Sequence, residues 1–122
     1  MNRPTAKSFT DLIIWQKAQA FVLAVSKIPE AFPRSEVDGL SSQFRRAATS
    51  IAANLAEGFK KRGAADKVRV FNIAQGSLEK GPYDLILAHD LGYAETTAMR
   101  PQLDEVAKIL EAYISVILAS HS

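Results

Sequence analysis

Apolar residues recur at alternating four- and three-residue steps through four separate stretches of the chain, the spacing of amphipathic α-helices that each bury one face. In the first stretch Ile14, Ala18, Phe21, Val25 and Ile28 fall on one stripe, which Leu12, Trp15 and Val22 widen, so a helix is expected from Phe9 to Pro29. Ser8 or Thr10 is the candidate N-cap, and Asp11 suits the positive end of the helix dipole. Pro29 and Pro33 stop this helix, because proline lacks the amide donor and disfavours helix in the residue before it; residues 30–38 then form a connection. The second helix starts at Gly39, with Ser41 or Ser42 as candidate cap. Along it Leu40, Phe44, Ala47, Ile51, Leu55 and Phe59 share one arc, and Gln43, Arg46, Ser50, Asn54, Glu57 and Lys61 share another. Between the arcs runs a strip of Ala48, Ala52 and Ala56, small enough for a second backbone to approach from the same chain or from another subunit. Gly58 and Gly63 bracket the basic segment in which the helix is expected to end.

Asp66 caps or leads a third helix that runs to about Leu91, with Gly92 as its stop. Phe71, Ala74, Leu78, Gly81, Leu85 and Ala88 keep a seven-residue register straight through Gly81-Pro82. The unbroken register favours one kinked helix over two shorter ones, although a proline costs about 3 kcal/mol in a helix interior. After a loop over Tyr93 to Thr97, with Thr97 as candidate cap and Pro101 tolerated in the first turn, Leu103, Val106, Leu110, Tyr113 and Ile117 form a fourth stripe. Ile109, Ile114, Val116 and Leu118 extend apolar surface around that helix. The fold class expected is all-α, an antiparallel up-down-up-down four-helix bundle over residues 9–119, between a tail of residues 1–8 and one of residues 120–122. Such a bundle needs one buried stripe per helix, so the excess on the fourth helix and the alanine strip on the second predict an interface between copies.

Composition narrows the chemistry. The chain has 122 residues, enough for one domain with its own core, and no cysteine, which excludes disulfides and thiolate metal sites. A net charge of +2 is too mild to indicate nucleic acid on its own, so the placement of charge decides. Lys60, Lys61, Arg62, Lys67 and Arg69 cluster around the loop between the second and third helices, with Asp66 as the one acid inside that span. Two readings stand side by side: a solvated loop, or a rim that binds phosphate backbones with steep salt dependence. Arg45, Arg46, Asn54 and Glu57 climb the second helix as a polar group; register-setting contacts within the bundle or across a subunit boundary are favoured, and an anion or RNA-phosphate site is the functional alternative. His89 and His121 are the only histidines and stand apart from any Glu-x-x-His pair, so neither catalysis nor a metal is expected, and no cofactor is expected. The N-terminus lacks the apolar core of a signal peptide, and the last apolar run is interrupted by Glu111; a cytoplasmic protein is expected.

Phe9, Asp11, Leu12 and Trp15, then Phe32-Pro33 with Gly39-Leu40, then Gln43, Arg45 to Ala48, Ser50 and Ile51 leading to Asn54 and Ala56 to Gly58, and finally Gly76-Ser77-Leu78 with Leu91-Gly92-Tyr93 occur together in one order. As a set, over roughly residues 8 to 118, they resemble the bacterial four-helix-bundle proteins encoded in 23S rRNA intervening sequences. The resemblance implies a closed bundle assembled into a ring-like homopentamer, without established catalytic activity. It also implies a relation to the accessory protein of diversity-generating retroelements, a similar pentameric bundle that binds a reverse transcriptase and nucleic acid. Glu79-Lys80-Gly81-Pro82 departs from the pattern, since relatives more usually continue an uninterrupted helix there with an acidic residue. Taken together, a non-enzymatic homo-oligomeric scaffold that binds RNA or DNA through its basic surface is the first expectation. The second is an accessory module for a protein partner such as a nucleic-acid enzyme.

Overall fold

A computed structural model describes residues 7–27 and 39–120, apart from the side chains of Leu40 and Ser41. Four helices, α1 (Ile13–Lys27), α2 (Leu40–Lys60), α3 (Ala64–Asp90) and α4 (Arg100–Ser120), carry the chain, with short 3-10 turns at Phe9–Asp11 and Thr97–Met99, and no strand occurs among the described residues. Each helix packs on the next, and α4 returns to α1, so the four enclose a shared core. The expected connection over residues 30–38, and Ile28 before it, lie outside the described residues.

The first helix begins later than its apolar stripe suggests. Ser8 does act as a cap, but of the 3-10 turn: its Oγ accepts from the Thr10 amide at 3.3 Å while Asp11 Oδ2 accepts from the Ser8 amide at 3.3 Å. Leu12 then turns extended, with φ −77° and ψ 128°, and the α-helix starts at Ile13. The break lets Phe9 fold back edge-on against Trp15, with ring centroids 5.1 Å apart.

The buried stripe of α1 is Ile14, Ala18, Phe21 and Val25, as the spacing requires. On α2 the core face is rotated toward the alanines: Phe44, Ala48, Ile51, Ala52 and Leu55 are buried, whereas Ala47 and Phe59 are only half-buried. Two of the three strip alanines therefore serve packing within the chain. Gly39 starts α2 without a side-chain cap, and Ser42 Oγ instead accepts from Arg46 Nη2 at 2.9 Å.

Gly58 does not end α2; it lies inside the last turn because the ring of Phe71 occupies the space a side chain would need, an added Cβ falling 2.6 Å from Phe71 Cδ1. Gly81 plays the same part opposite Leu103, where an added Cβ would lie 2.7 Å from Cδ2. Helix α3 runs unbroken through Pro82, and Phe71, Ala74, Leu78, Gly81, Leu85 and Ala88 are all buried. Packing of this kind, worth about 1.5–3 kcal/mol for each large apolar side chain, offsets the backbone hydrogen bond that proline removes. The helix stops at Gly92, whose φ of 75° lets its own amide bond the His89 carbonyl and that of Tyr93 bond the Ala88 carbonyl, both near 3.0 Å.

Across the next loop the buried Thr96 donates its hydroxyl to the Leu85 carbonyl at 2.6 Å, fastening the loop to α3. Leu103, Val106, Leu110 and Ile114 form the buried stripe of α4, so Ile114 takes the innermost place expected for Tyr113, which lies half-buried with its ring against Phe71 at 5.5 Å. Val116 and Leu118 remain 64% and 54% exposed. No helix among the described residues is long and apolar enough to cross a membrane.

Candidate nucleic-acid interface

The basic segment between α2 and α3 is short because two features clamp it. Lys61 leaves the helix in an extended conformation, and Gly63 starts α3 with φ −83° and ψ 143°. Lys67, one turn into α3, then points its ammonium back at the end of α2 and donates to the carbonyls of Gly58, Phe59 and Lys61 at 3.2, 2.7 and 2.6 Å. The Gly58 carbonyl also accepts from the Lys61 amide at 3.2 Å, and carbonyls at a helix end lack the amide donors of a following turn, so the lysine closes the C-terminus of α2. Its Nζ also lies 5.5 Å from the centre of the Phe59 ring, and burial lowers the pKa of the group. Among the five cations of the cluster, Lys67 is thus spent on the fold.

The other four lie nearer solvent. Lys61 pairs with Glu57 at 3.1 Å and Arg69 with Asp66 at 3.7 Å, both along one helix face. Lys60 stands 5.4 Å over the Phe9 ring, and Arg62 is exposed without an ion pair among the described residues. Exposed pairs of this type contribute at most about 1 kcal/mol and leave most of the local field in place. The segment therefore presents Lys60 and Arg62 outright, with Lys61 and Arg69 beside them.

The polar group on α2 is divided by the structure. Asn54 Nδ2 donates to the Ser50 carbonyl at 2.8 Å and to Ser50 Oγ at 3.1 Å, and Ser50 Oγ meets Ser77 Oγ of α3 at 3.1 Å. Arg46 reaches down to Ser42, Glu57 reaches up to Lys61, and Arg45 is exposed, so neither arginine pairs with a described carboxylate. Ser50 and Ser77 thus form the polar contact between α2 and α3, with Asn54 holding Ser50, whereas Arg46 and Glu57 serve local partners on α2. Above Ser50 and Ser77, the gap between the two helices widens into an open groove of about 570 Å³ that Gly39, Gln43, Arg46 and Lys80 also line.

One acid is not singled out by the sequence pattern. Asp84 on α3 is 2% exposed, and neither carboxylate oxygen has a hydrogen-bond partner among the described residues. It faces a cavity of about 10 Å³, the size of one water, among Phe21, Phe44, Ile51 and Leu85. Burial pushes its carboxyl above the ordinary range, against the pull of the Lys80 charge. The seven-residue register holds the only available signal: Asp84 stands three residues after Gly81 and directly before Leu85, both on the buried stripe.

His89 lies at the surface, 3.5 Å from Asp90 and 3.4 Å from Glu95, and Glu95 has its pKa lowered chiefly by hydrogen bonds from Thr97. No group of three His, Asp or Glu residues among those described is placed to hold a metal ion. His121 lies outside the described residues.

The family model described as 23S rRNA-intervening sequence protein matches residues 10–112. Among solved structures, the chain is similar to a protein of unknown function from the S23 ribosomal protein family of Bacteroides thetaiotaomicron. That likeness has 23% identity and a TM-score of 0.73, and covers 84% of this chain and 98% of the other. At such identity the likeness speaks for the fold alone. No curated protein matches the chain.

Proposed function

Since the chain belongs to the 23S rRNA-intervening sequence protein family, we propose that it is a non-enzymatic cytoplasmic scaffold that assembles with copies of itself and binds RNA through the basic end of its α2–α3 pair. The observation that carries this reading is the composition of that end: Lys60 and Arg62 reach solvent free of acidic partners among the described residues, on a segment held rigid by Lys67. A cationic surface on a fixed frame suits the phosphate backbone, whose recognition is electrostatic and indifferent to base sequence. Charge reversal of Lys60, Lys61 and Arg62 together is expected to abolish retention of structured RNA at low salt while leaving the helical circular-dichroism signal intact. Unchanged retention would remove the reading.

Assembly is the second part of the proposal. Leu23 on α1, Ile73, Tyr83 and Ile86 on α3, and Val116 and Leu118 on α4 are large apolar residues left exposed on one chain. Phe9, Trp15, Val22, Ala52 and Ala56 also line an open apolar groove of about 240 Å³ between α1 and α2. A second copy is the partner that such faces favour, since a monomer gains by covering them. An up-down-up-down bundle closing into a homopentamer is the form proposed, and it would repeat the basic end around a ring. Light scattering is expected to give about five times the 13.3 kDa mass of one chain; a monomer at working concentration would refute the assembly. The accessory-module reading is tested on the same sample, because a protein partner that stays bound after nuclease treatment favours it over direct RNA binding.

A further inference from the structure

We propose that the open groove between α2 and α3, some distance from the basic loop, is a binding site for a phosphate group held by Arg46, Lys80 and the Ser77 hydroxyl. The groove is rich in donors and poor in acceptors. Its described lining includes the guanidinium of Arg46, the ammonium of Lys80 and the amide of Gln43, and no carboxylate. Arg46 commits one N–H to Ser42 and keeps the rest of its five donors. Lys80 carries no ion pair with a described residue, and its charge is felt by Asp84, whose oxygens are buried.

The floor is oriented in the same sense. Asn54 donates to Ser50 Oγ, and Ser50 Oγ shares a 3.1 Å hydrogen bond with Ser77 Oγ in which either hydroxyl can donate. When Ser50 donates, the Ser77 proton has no acceptor among the described residues and can turn to the groove that Ser77 lines. A hydroxyl that can donate thus lines the same groove as two cations, the arrangement that a tetrahedral oxyanion satisfies. The site stands roughly 21 Å along α2 from Lys60, at 1.5 Å per residue, so it does not depend on the loop and goes beyond the reading above.

Phosphate reaches such a groove from two sources, a nucleic-acid backbone or a small free phosphate, and two measurements separate them. Inorganic phosphate is titrated into the full-length chain against chloride at equal ionic strength, with the backbone amide shifts of Gln43, Arg46, Ser77 and Lys80 followed by NMR. Saturable shifts with phosphate alone are expected, and Arg46→Gln or Lys80→Gln should weaken binding about tenfold or more, as befits a charged hydrogen bond. Ser77→Ala should weaken it by a smaller factor. Because Arg46 and Lys80 are exposed, these variants keep the wild-type helical signal. A single-stranded RNA is then titrated over a salt series: a slope reduced by roughly 0.7 for each phosphate that a variant no longer neutralises identifies the backbone as the source, and an unchanged slope identifies a small phosphate. Equal shifts with chloride, or wild-type phosphate affinity in the Arg46→Gln and Lys80→Gln variants, would overturn the site. Charge reversal at the loop leaves the phosphate titration untouched, so the two proposals fail separately.

Discussion

Phe71→Ala is expected to cost about 3–5 kcal/mol in urea unfolding, a large part of the roughly 5–15 kcal/mol that holds a typical domain together. The ring is 2% exposed, meets the Tyr113 ring edge-on and fills the space above Gly58. That geometry gives the prediction a second arm. In a helix, Gly58→Ala ordinarily gains about 1 kcal/mol from propensity. Here the new methyl would fall 2.6 Å from Phe71 Cδ1, and overpacking of a buried ring costs about 1–3 kcal/mol. Gly58→Ala is therefore expected to destabilise the wild type and to be tolerated, or to stabilise, in a Phe71→Leu background. The double-mutant cycle should give a coupling of at least about 0.5 kcal/mol. Additive costs would show that the glycine does not exist to admit the ring.

Asp84→Asn is expected to raise stability at neutral pH, because the carboxamide escapes the cost of ionising in a buried site, and to remove a pH dependence that the wild type shows. The sign follows from linkage. The folded pKa of Asp84 is raised by burial, so below the unfolded carboxyl value near about 3.9 both states hold the proton and the full stability is present. As pH rises past that value the unfolded chain gives up its proton while the folded chain keeps it, and stability falls until the raised folded pKa has been crossed. At neutral pH the wild type therefore lies below its stability in acid. The carboxamide of the variant cannot ionise, so the two proteins should match below the unfolded carboxyl value and diverge above it. A difference that is constant across the range would mean that the carboxylate finds a counter-charge in solution.

The seven-residue register through Pro82 was legible without coordinates because periodicity reports burial, and burial against the neighbouring helices outweighs the loss of one backbone bond. Gly92 was legible as a helix stop because the left-handed conformation that it adopts is open to glycine at little cost. The first turn was not. Phe9 to Asp11 reads as helix by pattern, but a capped 3-10 turn and an extended Leu12 allow Phe9 to reach Trp15, a contact that no local preference encodes. Among the basic residues, sequence identified the cluster but not the different surroundings of its members. Lys67 looks like the others by charge, yet its neighbours in space are carbonyls at the end of another helix. Arg46 stood in a polar stripe of α2, whereas its companions Ser77 and Lys80 belong to α3.

By itself the sequence determined four helices, the stripe that each one buries and the location of the positive charge, because these follow from periodicity, proline, glycine and residue type, all local properties. Only the tertiary structure decided why Gly58 and Gly81 lack side chains, and, among the described residues, which cations stand clear of acids and that an acid lies unpartnered in the core. Those features depend on what the facing helix places within a few ångströms, and contacts between residues far apart in the chain leave no periodic trace in either partner alone.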